Sequence, residues 1–145
     1  MKKFIVLLTI LGCVAQGITG FTQQEMPFSP GEKLTFVLRW GIIPAGTAVL
    51  EVLPVEGMNG EPGYHFVLTA QTNSFVDIFY KVRDRIEGYA AVDMTHSVLY
   101  KARQQEGDYE HDIVVTFNWQ KQEAQYTNFG KKKEPIAIRP GTFDP

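Results

Sequence analysis

The stretch Gly31–Leu53, GEKLTFVLRWGIIPAGTAVLEVL, constrains this chain more than any other. Leu34, Phe36, Leu38 and Trp40 alternate with Lys33, Thr35, Val37 and Arg39. Successive side chains of an extended strand point to opposite faces, so this spacing predicts a half-buried strand with the four apolar residues as packing candidates. Ala48, Leu50 and Val52 share one face of a second predicted strand, Thr47–Leu53. Gly41, Pro44 and Gly46 lie between the two. A proline cannot donate to a sheet ladder, so a bulge or wide corner is expected there rather than a tight two-residue hairpin.

The same alternation returns down the chain. Tyr64–Asn73, Val82–Val92, Val98–Gln105, Tyr109–Asn118, Ala124–Phe129 and Pro135–Ile138 read as strands, separated by Gly-, Asn- and Pro-bearing turns. One segment breaks the pattern. Phe75, Ile78 and Phe79 recur at helical spacing after Ser74, which stands three residues before Asp77 in the manner of a capping box. A helix of one or two turns is expected near residues 74–81, held by its aromatics because so short a helix is not stable alone. The fold class is therefore mainly β: a curved antiparallel sheet or partly open β-barrel with one short helix.

With 145 residues, 44% of them hydrophobic, and a net charge of -2, the chain suits one domain. It lacks the concentrated basic face that a nucleic acid requires, and Lys131–Lys133 reads as a solvated turn. Residues 1–20 have the layout of a signal peptide: Met1, Lys2 and Lys3, then the apolar run Phe4–Leu11, then small residues. The run is too short to anchor as a transmembrane helix, so none is expected in the mature chain. Residues 21–30 read as a linker and 31–145 as a single β domain. Cys13, the one cysteine, follows Ile10-Leu11-Gly12 as in a bacterial lipobox, which makes it a candidate for lipidation. These features point to export into the periplasm or cell envelope of a bacterium, freely secreted or lipid-anchored through Cys13.

Chemistry is sparse. His65, His96 and His111 stand apart from other ligand types, so no metal site is expected, and His65 reads as a surface residue. The sequence holds no G-x-S-x-G, H-E-x-x-H, C-x-x-C or phosphate-loop motif, and no cofactor is expected. Asp84 and Glu87 are the carboxylates nearest to an acid–base pair. Their odd separation puts them on opposite faces of a strand, and Arg83 and Arg85 beside them favour a solvated ion-pair face instead. No catalytic residue is assigned. The candidates for binding an apolar, lipid-like ligand are Trp40, Phe75, Ile78, Phe79 and Tyr80, the last four as a lid over a cavity.

The chain resembles the DUF3108 proteins, an uncharacterised family of exported bacterial proteins. The resemblance rests on Pro27-Phe28 with Gly31-Glu32 and Leu34, on Trp40-Gly41 and Ala45-Gly46-Thr47-Ala48, and on Tyr80–Glu87 with Tyr100. It implies a largely β envelope protein with no established activity and no catalytic residues to transfer. It also implies further strands after Pro145, so that the β domain is expected to be a C-terminally truncated form. Two functions follow. One is a non-catalytic envelope protein holding a lipid-like ligand in a curved sheet; the other is a structural or interaction module for an envelope protein partner. An enzyme is the least favoured.

Overall fold

The computed structural model describes residues 26–58 and 61–144. The expected signal peptide, Cys13 and the first half of the linker, residues 21–25, lie outside the described residues. The strands are β1 (Lys33–Trp40), β2 (Ile43–Met58), β3 (Glu61–Thr72), β4 (Val82–Ala91), β5 (Ser97–Glu106), β6 (Tyr109–Asn118), β7 (Glu123–Asn128), β8 (Lys131–Lys132) and β9 (Ile136–Ala137). They form one antiparallel meander in sequence order from β1 to β8, with β9 also pairing to β7. Among the described residues the sheet does not close into a barrel.

The corner after Trp40 is tighter than proline chemistry suggested. Trp40 pairs with Ile43 around a two-residue turn, with Gly41 in the left-handed region at φ 60°. The expected bulge is present as well, as a register shift between Leu38 and Arg39 opposite Gly46 and Pro44. Pro44 is tolerated because the β2–β3 pairing begins only at Gly46. Its carbonyl is not wasted, accepting a hydrogen bond from Asn73 Nδ2 at 2.6 Å. Lys131 and Lys132, expected in a turn, form β8 against Asn128 and Thr127.

The helical segment is a single 3-10 turn, α-free, at Val76–Ile78. Its N-cap position is Phe75, and Asn73 rather than Ser74 supplies the side-chain acceptor at this end, its Oδ1 accepting from the Val76 amide at 3.0 Å. Asp77, the expected capping partner, instead accepts from the Thr72 hydroxyl at 2.5 Å and from Arg83 at 2.5 and 3.1 Å. This ties the connection to the end of β3 and the start of β4. Arg83 holds the Asp77 carboxyl below its usual range, with Thr72 adding to the effect.

Register assigns each side chain to a face. Leu34, Phe36, Ala48, Leu50, Phe66, Leu68, Ile86, Ala102, Ile113 and Val115 lie on one face through the pairs Leu34↔Leu50, Phe36↔Ala48, Leu50↔Leu68, Leu68↔Ile86, Ile86↔Ala102 and Ala102↔Ile113. The other face carries Glu51, His65, Val67, Arg85, Glu87, Tyr89 and Lys101. One apolar and one polar face is the usual pattern of an antiparallel sheet. Here the apolar face has no full second layer among the described residues. Leu34, Phe36, Leu38 and Trp40, expected as packed residues, are exposed, because β1 is an edge strand with a partner on one side only.

Candidate functional site

The middle of the apolar face holds a depression of about 300 Å³. Its floor is Leu50, Phe66, Leu68, Ile86, Gly88 and Ala90, from β2, β3 and β4, and its rim is Met94, Phe143 and Asp144. Both described ends of the chain reach this face. Near the start, the Phe28 ring packs edge-on against Tyr64 and Phe66, with centroids 5.1 Å apart in each case. At the far end, residues 139–144 cross over Gly88, where a Cβ would stand 2.9 Å from Asp144 Oδ2. A glycine inside a strand commonly marks such a close approach, and that signal was present in the sequence.

Ser97 anchors the crossing segment. It is fully buried, and its hydroxyl donates to Asp144 Oδ1 while accepting from the Asp144 amide at 2.9 Å. Its amide donates to the Thr142 carbonyl at 3.3 Å, and its own carbonyl accepts from Trp119 Nε1 at 3.0 Å. Tyr100 lies beneath, its phenol pushed up first by burial, then by the charge of Asp144 and by Tyr126. Replacing Ser97 with Ala leaves the Asp144 contacts without their hub. Loss of these buried hydrogen bonds is expected to cost about 1–3 kcal/mol and to raise amide exchange in residues 139–144, read by hydrogen exchange. Unchanged exchange there would show that the segment is held by other means.

The polar face is organised on Glu87. Its carboxylate accepts from His65 Nε2 at 2.8 Å, Arg85 Nε at 2.8 Å and the Tyr89 hydroxyl at 3.3 Å. His65 is 5% exposed, not a surface residue, because Tyr89 stacks on its ring at 3.9 Å and Lys101 stands over Tyr89 in turn. Burial raises the Glu87 pKa, but the hydrogen bonds and charges of Arg85 and His65 outweigh it and hold the carboxyl below its ordinary value. A second depression on this face, about 340 Å³, is bordered by Thr47, Thr69, Gln71, Arg83, Arg85 and Arg103. A third, about 800 Å³, lies beside His96 and Trp119 among polar side chains.

The sequence-based ligand candidates do not come together over any of these three depressions. Trp40 is 81% exposed in the β1–β2 hairpin, and Phe75, Ile78, Phe79 and Tyr80 are exposed on the β3–β4 connection. They share one end of the sheet. Asp84 pairs with Ala70 and Gln104, whereas Glu87 pairs with Val67 and Lys101, so the two carboxylates occupy opposite faces as their spacing implies. No helix among the described residues is long and apolar enough to cross a membrane.

The geometry defines a class: an open antiparallel sheet with a charged face and an apolar face that both ends of the described chain cross. The family model described as "Protein of unknown function (DUF3108)" matches residues 35–145, and the chain belongs to that family. No curated protein and no solved structure matches it.

Proposed function

We propose that this chain is a non-catalytic protein of the bacterial cell envelope that binds an apolar, lipid-like ligand on the apolar face of its sheet. The observation that carries the reading is the depression floored by Leu50, Phe66, Leu68 and Ile86, with Phe143 at its rim. Apolar side chains with a few polar groups at the edge are the usual make-up of a small-ligand site. Asp144 and the Tyr100 hydroxyl supply polar groups on the same side. The envelope assignment rests on the signal-like residues 1–20. A non-catalytic role accords with the internal partners that engage Glu87 on the polar face and Asp77 in the β3–β4 connection.

The test is binding of a fluorescent fatty acid, together with native mass spectrometry of protein taken from cells. Saturable binding is expected, weakened about tenfold in Ile86→Gln through loss of apolar contact and intrusion of an amide. A protein that carries no lipid and binds no dye would sink the reading. The alternative, an interaction module for an envelope partner, is favoured by the outer edge of β1, which pairs with no other strand among the described residues and so presents an edge to an added strand.

A further inference from the structure

In a meander every second connection falls at the same end of the sheet. The β1–β2, β3–β4, β5–β6 and β7–β8 connections share one end. Each presents an exposed apolar or aromatic residue: Trp40 and Ile42, Phe75 and Phe79, Tyr109, and Phe129. Ile42 is 90% exposed and Phe79 76%. At the other end, the β4–β5 connection shows Val92 beside Asp93 and Thr95, and the β6–β7 connection shows Gln120, Lys121 and Gln122 around a half-buried Trp119. Adjacent strands lie about 4.8 Å apart, so connections two strands apart are spaced by roughly 10 Å. The four tips therefore form a fringe on the order of 30 Å long rather than one compact patch.

Charge at this end is mixed but weighted toward cations. Arg39, Lys81, Lys131 and Lys132 are exposed beside the tips, against the exposed acids Asp108 and Glu110. Asp77 adds no free charge, being paired with Arg83. Exposed aromatics spread over separate tips, flanked by lysine and arginine, do not suit a single small ligand, which needs a concave site. They suit a flat, yielding, anionic surface. Trp and Tyr rings settle at the headgroup level of a bilayer, and neighbouring Lys and Arg are attracted to anionic lipids.

We infer that this end of the sheet docks on the surface of an anionic lipid bilayer, with Trp40, Phe75, Phe79, Tyr109 and Phe129 entering the headgroup region. The inference is independent of the ligand reading, which concerns a different part of the sheet and survives if docking fails. The test is co-sedimentation of the full chain with phosphatidylcholine vesicles, with and without phosphatidylglycerol. Trp40 emission is followed at the same time by subtracting the spectrum of Trp40→Phe.

Sedimentation with the anionic vesicles and a blue shift of Trp40 are expected. The double variant Trp40→Ser, Phe79→Ser should bind at least about tenfold more weakly, since two rings no longer leave water. Lys131→Glu with Lys132→Glu should weaken binding only to the anionic vesicles. Phe36→Ser, on the apolar face, should bind as the parent does. All these positions are exposed, and unfolding curves check that each variant is folded. Absence of binding to either vesicle overturns the inference. So does binding that the rim variants leave unchanged with Trp40 unshifted, as insertion through Phe4–Leu11 would give. Lipid-free self-association abolished by the double variant would also overturn it, by identifying the fringe as a protein interface.

Discussion

Gly46→Ala is expected to lower unfolding stability by about 3 kcal/mol, at the upper end of the range for forcing extra atoms into a packed site. Gly46 stands in β2 between Leu38 of β1 and Thr72 of β3. A Cβ there would come within 2.2 Å of the Gln71 carbonyl oxygen and 3.0 Å of Thr72 Cα. These are backbone atoms, so no rotamer change relieves the contact, and β2 and β3 must part or shift register. Gly31→Ala is the informative control. It meets nothing within 4 Å, but Gly31 has φ 90°, so strain alone should cost about 1–2 kcal/mol. Denaturant midpoints at equal slope measure both. A Gly46→Ala protein as stable as the parent would mean that the β2–β3 spacing is wider than described.

The second large effect is expected at Glu87. Truncation to Ala removes the acceptor for His65, Arg85 and Tyr89 together. Loss of charged hydrogen bonds to a buried ring should cost about 2–3 kcal/mol. The pH dependence separates charge from packing. The folded-state pKa of Glu87 lies below its ordinary value, so the unfolded chain takes up the proton first as pH falls. The stability that the carboxylate contributes is thus full above the ordinary glutamate range and is lost as pH drops through the lowered folded value. Glu87→Gln should flatten that acid branch while costing less than Ala at neutral pH. Asp77, lowered chiefly by its hydrogen bond from Arg83, acts in the same direction, so Asp77→Asn should remove a further part of the same branch. Stability measured across a pH series checks both, and an acid branch unaltered in both variants would exclude these pairs as its source.

Much of the sheet was legible because strand periodicity is a local property. The alternation through Leu34, Phe36 and Leu38, and that through Ile113 and Val115, places each residue on the face where register puts it. Burial was less legible, since it depends on what a distant segment lays across a face. His65 sits at a polar-looking position, yet Tyr89, four register pairs away from the Arg85 that drew notice, covers its ring. Trp40 looks like core in period, yet an edge strand and a tight turn leave it in solvent. The depression was missed because its floor joins Leu50, Leu68 and Ile86 from three strands, and its rim depends on the contact between Ser97 and Asp144, 47 residues apart. Gly88 within a charged strand was the one local hint.

Strands that pair with their neighbours in sequence, as β1 to β8 do, make a sheet that could open one strand at a time, like a zip fastener pulled from either end. The two segments that fold back across the apolar face change this. Phe28 reaches over to Phe66 on β3, and Asp144 reaches Ser97 on β5 beside Gly88 on β4. Each ties an outer part of the chain to its middle. Peeling β1 or β9 therefore also disturbs the centre of the sheet, and a ladder of nearly independent rungs acquires the means to fold and unfold as one unit.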